Sequence, residues 1–220
     1  MLNIKSNDQS ILFAIQEVLK ELPCSDELNH TVILKEINTG LSVEIENDNA
    51  IIGYSDRRSL MRALSILYTN RNKTSYSKKE SPAYTTLGAM PDASRNAVPK
   101  IETLKKLCRI LALEGYNALM LYTEDTFEVD NQPYFGYLRG RYSKAEIKEI
   151  DKYALSNGNE LIPCIQTLAH LNAIVRWSEY KDFTDINDIL LAGDERTYKL
   201  IEDIFATLSE CFTSRIVHIG

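Results

Sequence analysis

The sequence predicts an α/β protein in which a small α+β domain, residues 1–83, precedes a larger α/β segment, residues 84–220. The first 70 residues contain a helical stretch, several extended stretches and a second helical stretch, an order typical of α+β domains. From residue 84 onward, apolar extended stretches alternate with stretches of helical periodicity. Strands that are joined by helical crossovers pair in parallel, so this second part is expected to form a parallel sheet.

The composition is that of an ordinary globular protein, with 44% hydrophobic and 25% charged residues among 220. The net charge is -6 and the basic residues are dispersed, so nucleic acid is not an expected partner. The N-terminal stretch MLNIKSNDQS lacks the pattern of an export signal, and no apolar run approaches the ~20 residues of a membrane span. We therefore expect a cytoplasmic protein that does not contact a membrane.

The N-terminal domain is predicted to consist of two helices and an antiparallel sheet. Residues 10–22 carry apolar side chains at helical spacing, and Pro23 ends that run. Two extended stretches, TVILKEI and LSVEIE, are separated by residues 38–40, which favour a hairpin turn, and NAIIGYS adds a third strand. The stretch RRSLMRALSILYT then returns to helical periodicity.

Residues 71–83, RNKTSYSKKESPA, are polar and basic and end in a serine and a proline. Such a stretch between two periodic regions is typical of a linker. It sets the predicted domain boundary at residue 83.

The second part is predicted to contain four strands, TLGAM, NALMLYT, ELIPCIQT and RIVHIG, the last of them short and buried. Helices are expected over residues 98–114, 143–156 and 194–212, with a further helical segment near Leu171. Asp194 suits the N-cap of the long helix, whose predicted buried side includes Tyr198. Two architectures fit this order, an open doubly wound sheet or part of a β/α barrel. The glycine fingerprint of many doubly wound folds is absent.

Polar residues follow the predicted strands, at the ends where barrel enzymes carry their function. Arg95 follows the first strand, and its guanidinium suits vicinal hydroxyls or a carboxylate. Glu124 and Asp125 follow the second strand, and His170 follows the third as a candidate proton relay. The loop after the second strand is rich in aromatic residues, whose rings favour stacking on a sugar: Tyr134, Phe135, Tyr137 and Tyr142.

The four cysteines are scattered, with no CxxC pair and no histidine at ligand spacing. Each lies in an apolar context, which favours buried free thiols over disulfides or zinc. No metal ion and no cofactor are expected.

Five motifs, LGAMPDASRN, LYTEDTFEV, QPYFGYLRGRYS, PCIQTLAHL and RIVHIG, resemble in their order the glycoside hydrolase family 20 β-N-acetylhexosaminidases, and most of all the streptococcal-type exo-β-N-acetylglucosaminidases. The resemblance implies a small α+β domain followed by the first four units of a (β/α)8 barrel. It also implies that the partner is a glycan, from whose nonreducing end N-acetylglucosamine or N-acetylgalactosamine is removed with retention of configuration. The nucleophile in that family is the acetamido oxygen of the substrate itself.

The resemblance also implies roles for individual residues. Arg95 is expected to bind the hydroxyls of the terminal sugar. Asp125 and His170 are expected to support the general acid. Glu124 is a further substrate-binding candidate, and His218 is expected to lie behind the residues that touch the sugar. In the family, the motif around RIVHIG continues after one more residue into the adjacent catalytic aspartate and glutamate. The chain ends at Gly220, so we expect a truncated and inactive fragment.

Two alternatives remain open at this stage. The chain could be a noncatalytic half-barrel that binds glycans or other partners through the same loops. It could also be an unrelated barrel enzyme that uses Glu124, Asp125 and His170 with a metal or phosphate. Whatever its function, a truncated half-barrel exposes an unpaired sheet edge and apolar faces, which predicts self-association of the fragment, for example as a homodimer.

Overall fold

The computed structural model describes residues 3–23, 28–95 and 97–220. They form two compact units, of which the first contains Met1–Ala89, Lys105–Ala118 and Tyr153–Asn159, and the second contains Met90–Leu104, Leu119–Lys152 and Glu160–Gly220. This division does not follow chain order, so the predicted domain boundary at residue 83 stays a prediction.

The first unit contains a five-stranded sheet with the order β1-β2-β4-β3-β5. Its strands are β1 Asn3–Lys5, β2 Thr31–Glu36, β3 Leu41–Glu46, β4 Asn49–Tyr54 and β5 Ser75–Glu80. β2 pairs in parallel with both β1 and β4, whereas β3 pairs antiparallel with both β4 and β5. The sheet is therefore mixed, and the prediction of an antiparallel sheet is wrong for one half of it.

The hairpin of this sheet joins β3 and β4, so the predicted hairpin between TVILKEI and LSVEIE is wrong. Glu46 pairs with Asn49 across a two-residue turn in which Asn47 has φ 53°. Asparagine tolerates this left-handed conformation, and two-residue turns are the commonest hairpin connections. Val43 pairs with Ile52 in the same ladder, and both side chains are fully buried.

The predicted linker contains β5, which forms the last strand of the sheet beside β3. Its sequence SYSKKE is polar because most of its residues are exposed at the edge of the sheet. Lysines on an edge strand discourage pairing with another chain, and the same composition made the stretch resemble a linker.

Two helices of the first unit were located by their periodicity. Helix α1 covers Gln9–Leu19 and helix α2 covers Arg57–Thr69, which is the predicted stretch RRSLMRALSILYT. Asp56 begins α2 with a capping box, because its carboxylate accepts from the Ser59 backbone N–H at 2.7 Å while the Ser59 hydroxyl accepts from the Asp56 backbone N–H at 3.0 Å. Both helices pack apolar side chains into one core with β2, β3 and β4.

The second sheet has the order β6-β7-β8, formed by Gly88–Ala89, Ala118–Tyr122 and Glu160–Cys164. These strands lie within the predicted TLGAM, NALMLYT and ELIPCIQT. Asp92 and Tyr122 form a parallel bridge beyond the end of β6. Nearly every residue of β7 and β8 is buried, as expected for parallel strands that are covered on both faces.

The segment RIVHIG joins the second unit through a single parallel bridge between His218 and Cys164. His218 donates its backbone N–H to the Pro163 carbonyl at 2.9 Å and accepts from the Ile165 N–H at 2.9 Å. Ile216 and Ile219 are 54% and 53% exposed, so the predicted burial of this segment is wrong. Because only His218 pairs with a neighbouring strand, the residues on either side of it are not held in the sheet. The apolar pattern therefore predicted more burial than the structure shows.

In the described part of the chain after β6 there are five helices. They are α3 Ile101–Glu114, α4 Lys144–Ser156, α5 Asn172–Val175, α6 Ser178–Lys181 and α7 Glu195–Cys211. The predicted cap of α7 is confirmed, since the Asp194 carboxylate accepts from the Arg196 N–H at 2.9 Å. Tyr198, however, is 56% exposed, so its predicted burial is wrong. Successive helix residues are about 100° apart, so Tyr198 lies about 160° around the helix from the buried Leu200, on the opposite face.

Cys108, Cys164 and Cys211 are free and buried, as predicted, whereas Cys24 lies outside the described residues. Burial raises the pKa of the Cys108 thiol to about 12. In the part of the chain that the structure describes, no helix combines the length and the apolar character that crossing a membrane requires.

A buried ionic network ties three helical regions of the first unit together around Arg109 of α3. Its guanidinium bonds the Glu21 carboxylate at 2.6 Å and donates to the Tyr153 hydroxyl at 2.9 Å. That hydroxyl donates to Glu17 of α1 at 2.7 Å. The side chains of Arg109, Glu17 and Glu21 are only 12 to 13% exposed, so this cation balances two nearly buried carboxylates.

Replacing Arg109 by leucine is expected to lower the free energy of unfolding by about 3 kcal/mol, because both carboxylates lose their buried cation. Lys20→Leu is the matched control, since Lys20 is 58% exposed and pairs with the same Glu17. An exposed pair contributes at most about 1 kcal/mol. Urea denaturation of the three proteins measures both changes, and equal losses in the two variants would contradict the importance of burial.

Candidate functional site

Asp92 organises the loop that follows β6. Its carboxylate accepts from the Ser94 backbone N–H and hydroxyl, each at 2.8 Å, and from the Arg95 backbone N–H at 3.2 Å. Burial opposes ionisation of this carboxyl, but these bonds and the Arg95 guanidinium outweigh it and hold the pKa of Asp92 well below its usual range. Asp92 is therefore a fixed negative charge beyond the end of β6.

Arg95 lies beside this charge with its side chain 56% exposed. One amino group of its guanidinium donates to Asp92 Oδ2 at 2.7 Å, and the group lies 5.1 Å from the centre of the Tyr122 ring. The other amino group is 3.8 Å from Glu124 Oε1. Arg95 is thus anchored on one side and open to solvent, a suitable arrangement for donating to an incoming ligand.

Tyr122, the last residue of β7, links two strand ends through its hydroxyl. The hydroxyl donates to Glu124 Oε1 at 2.9 Å and accepts from Gln166 Nε2 at 2.8 Å. Glu124 has φ 50°, a left-handed conformation that costs a non-glycine residue roughly 1 to 3 kcal/mol. The strained turn leaves the Glu124 side chain 14% exposed, against 1% for the side chain of the adjacent Asp125.

Residues from three successive strand ends line one cleft of about 290 Å³. They are Met90, Asp92, Arg95, Tyr122, Gln166 and His170. His170 is exposed and has φ 63°, so it too is held in a left-handed conformation. The structure therefore brings Arg95 and His170 together at this cleft, whose size is near the lower end of ligand pockets.

Asp125 does not line this cleft. Among the described residues neither of its carboxylate oxygens has a hydrogen-bond partner, although Arg139 Nη2 lies 3.2 Å from Oδ1. Burial raises the pKa of Asp125, and the positive charge of Arg139 offsets part of that rise. Asp125 is consequently a buried acid that lies at ion-pair distance from Arg139 but accepts no hydrogen bond from a described residue.

The predicted partnership of Asp125 with His170 stays a prediction. Within the described ranges no hydrogen bond or ion pair joins the two side chains. His218 is exposed and accepts from the Gly220 N–H at 3.3 Å through Nδ1, and it is not among the residues that line the cleft. Its predicted place behind the sugar-contacting residues also stays a prediction.

The aromatic residues of the loop after β7 divide into two groups. Phe135 and Tyr142 are 0% and 4% exposed, so the expectation that they stack on a sugar is wrong. Phe135 packs edge-on against Phe127 at 5.1 Å, and the Tyr142 hydroxyl donates to the Pro99 carbonyl at 2.7 Å. These two rings form the core that stabilises the loop.

Tyr134 and Tyr137 remain half-exposed, at 39% and 43%. Both rings pack against Trp177, with centroids 5.7 and 5.2 Å from that of the indole. This aromatic cluster, Tyr134, Tyr137 and Trp177, retains the exposed ring area that a sugar could contact.

Sequence reasoning gave no role to four groups of the site, namely Asp92, Tyr122, Gln166 and Arg139. The first three also lie at strand ends, so the rule that selected Arg95 and His170 could have found them. In the described part of the chain, no cluster of three or more His, Cys, Asp or Glu side chains is arranged to hold a metal ion.

Asp125→Asn is expected to raise the melting temperature at pH 7. A carboxyl whose folded pKa is raised destabilises the protein once it ionises, by about 1.4 kcal/mol per unit of pKa. The advantage of the variant should therefore grow as the pH rises above about 4 and vanish below it. Thermal unfolding between pH 3 and 8 measures it, with the exposed Asp185→Asn as control, and an unchanged or lower melting temperature at pH 7 would refute the assignment.

Part of the chain matches a known protein family. The model of the glycosyl hydrolase family 20 catalytic domain matches residues 84–220. A β-hexosaminidase of Akkermansia muciniphila is 27% identical over 176 residues, which cover 64% of this chain and 34% of that protein. Hexosaminidase D of Bos taurus is 33% identical over 87 residues, which cover 37% of this chain and 24% of that protein. The chain thus spans about a third or less of the length of these relatives.

Solved structures show the same fold. An exo-β-N-acetylglucosaminidase from Vibrio harveyi in complex with N-acetylglucosamine gives a TM-score of 0.79 at 16% identity, covering 100% of this chain and 43% of that chain. A β-N-acetylhexosaminidase from Streptomyces coelicolor gives 0.78 at 19% identity, covering 100% and 55%. The predicted fold class, a small α+β domain followed by the first part of a β/α barrel, is confirmed. Since the family model covers more than half of its residues, the chain belongs to glycosyl hydrolase family 20.

Proposed function

We propose that the complete gene product is an exo-acting β-N-acetylhexosaminidase. It removes terminal N-acetylglucosamine or N-acetylgalactosamine from glycans with retention of configuration. The observation that carries this proposal is the cleft at three strand ends, in which the anchored but solvent-open Arg95 lies beside Tyr122 and His170. Family membership supplies the reaction class, and the cleft supplies donors suited to a sugar.

Arg95 binds the hydroxyls of the terminal sugar in this proposal. Its guanidinium carries five donors in a rigid plane, which matches two neighbouring hydroxyls. Asp92 fixes the orientation of the guanidinium through the 2.7 Å bond, and the Tyr122 ring lies under it at 5.1 Å. Glu124 accepts from Tyr122 and supplies a nearby carboxylate for the same ligand.

Asp125 and His170 support the general acid. His170 is exposed at the cleft, where its imidazole can donate and accept hydrogen bonds. The acetamido oxygen of the substrate attacks the anomeric carbon, the bond to the leaving oxygen breaks, and the general acid protonates that oxygen. Water then attacks the anomeric carbon of the resulting oxazolinium ion, the bond to the acetamido oxygen breaks, and the deprotonated general acid accepts the proton of the water.

The aspartate and glutamate that perform these steps in the family follow the motif that includes His218, so residues 1–220 alone are proposed to be inactive. The solved relatives support this view, since the chain covers 43% and 55% of their lengths. Self-association of residues 1–220 also stays a prediction.

An aryl β-N-acetylglucosaminide assay tests the proposal. The complete gene product should release the aryl group, residues 1–220 should not, and an aryl β-glucoside should be a poor substrate because it lacks the acetamido nucleophile. Chelation of divalent metals should leave the rate unchanged. Turnover by residues 1–220 at an ordinary rate would overturn the assignment of roles, and glycan binding without turnover by the complete product would favour the noncatalytic alternative.

Arg95→Gln in the complete gene product is expected to lower kcat/KM by about 100-fold, because charged hydrogen bonds contribute roughly 1.5 to 3 kcal/mol each. Arg196→Gln is the matched control, since Arg196 is 53% exposed and pairs with Asp194 at 2.8 Å, much as Arg95 pairs with Asp92. Steady-state kinetics and thermal unfolding measure both variants. A similar loss of activity in the two variants would refute a specific role for Arg95.

A further inference from the structure

Arg139 lies in the loop between β7 and α4 and contacts groups from two strand ends. Its Nη2 atom donates to the Ser94 carbonyl at 2.6 Å. The same atom lies 3.2 Å from Asp125 Oδ1 and 3.9 Å from Glu124 Oε2. The side chain is 22% exposed, so solvent screens these interactions only in part.

The contact with Ser94 bears directly on Arg95, the next residue in the chain. Ser94 is itself buried and bonded to Asp92, which holds the Arg95 guanidinium. A guanidinium that holds the Ser94 carbonyl therefore fixes the backbone from which Arg95 extends.

The contact with Asp125 is electrostatic. Asp125 is 1% exposed and has no hydrogen-bond partner among the described residues. Among the described residues, the charges of Arg139, Glu124 and Arg176 act on Asp125, and the Asp125 charge acts in turn on Tyr180. Arg139 is the cation at ion-pair distance, and Glu124 opposes ionisation of its neighbour. Without the Arg139 charge, burial and the neighbouring Glu124 would favour the protonated form of Asp125 more strongly.

We propose that Arg139 is a positioning residue for the hydrolase reaction: its guanidinium sets the charge environment of Asp125 and fixes the backbone that carries Arg95. This inference rests on the proposed function. Arg139 acts through these two residues and does not itself touch the sugar.

Arg141 offers a matched comparison in the same loop. Its Nη1 atom donates to the Pro133 carbonyl at 3.2 Å and to the Phe135 carbonyl. Both acceptors belong to its own loop, and within the described residues Arg141 forms no ion pair with a carboxylate. Arg141 thus stabilises the loop without reaching the strand ends.

The test compares Arg139→Gln, Arg139→Lys and Arg141→Gln in the complete gene product. Arg139→Gln should lower kcat/KM by about 30-fold and move the acidic limb of its pH profile upward by about one unit, because a lost positive neighbour raises a carboxyl pKa. Lysine keeps the positive charge but lacks the planar guanidinium with its fixed donors. Arg139→Lys should therefore keep the acidic limb of the pH profile at its wild-type position and retain part of the wild-type rate. Arg141→Gln should lower the melting temperature without moving the limb.

Equal losses of rate in the two glutamine variants with an unmoved limb would overturn the proposal, because Arg139 would then be only structural. Carbon-13 NMR titration of the Asp125 carboxyl separates this inference from the proposed function. Its pKa should rise in Arg139→Gln and not in Arg141→Gln, even if the complete product lacks hexosaminidase activity. An unchanged Asp125 pKa in Arg139→Gln would overturn the electrostatic role.

Discussion

The parallel pairing around β7 is the constraint on which the site depends. The Thr123 N–H donates to the Cys164 carbonyl at 3.0 Å on one side, and Asp92 bridges to Tyr122 on the other. Because parallel strands end at the same edge, groups that are more than 70 residues apart in the sequence, from Arg95 to His170, line one cleft. Their proximity follows from the register of this sheet.

The cleft and the residues behind it combine opposite charges with unequal exposure. The Arg95 and Asp92 side chains are 56% and 37% exposed, whereas Asp125 is almost fully buried. Two residues of the site, Glu124 and His170, hold left-handed backbone conformations without being glycine. Strain and a buried acid both cost stability, and proteins tend to retain such features where function requires them. The apolar core of the fold offsets such costs.

Much of the fold could be predicted because helical periodicity and long apolar strands are local signals. Helix α2 coincides with its predicted stretch, and Asp194 caps α7 as expected. The strand β5 was missed because an edge strand exposes most of its side chains, so its sequence carries no apolar alternation. The partner of β2 could not be found either, because the choice between β3 and β4 depends on contacts across the sheet and not on the turn beside it.

The site shows the same division between local and tertiary information. Arg95 and His170 follow predicted strands, and the strand-end rule places them at one edge. The burial of Phe135 and Tyr142 and the contacts of Arg139 depend on the path of a long loop, which composition does not determine. An aromatic residue in such a loop can serve as its core or as an exposed surface, and the sequence does not distinguish these two environments.

The central claim is that the cleft at the three strand ends binds the terminal sugar. A crystal structure of the complete gene product with N-acetylglucosamine tests it most directly. Sugar hydroxyls are expected within about 3 Å of the Arg95 guanidinium. A sugar bound elsewhere, with Arg95 still open to solvent, would contradict it.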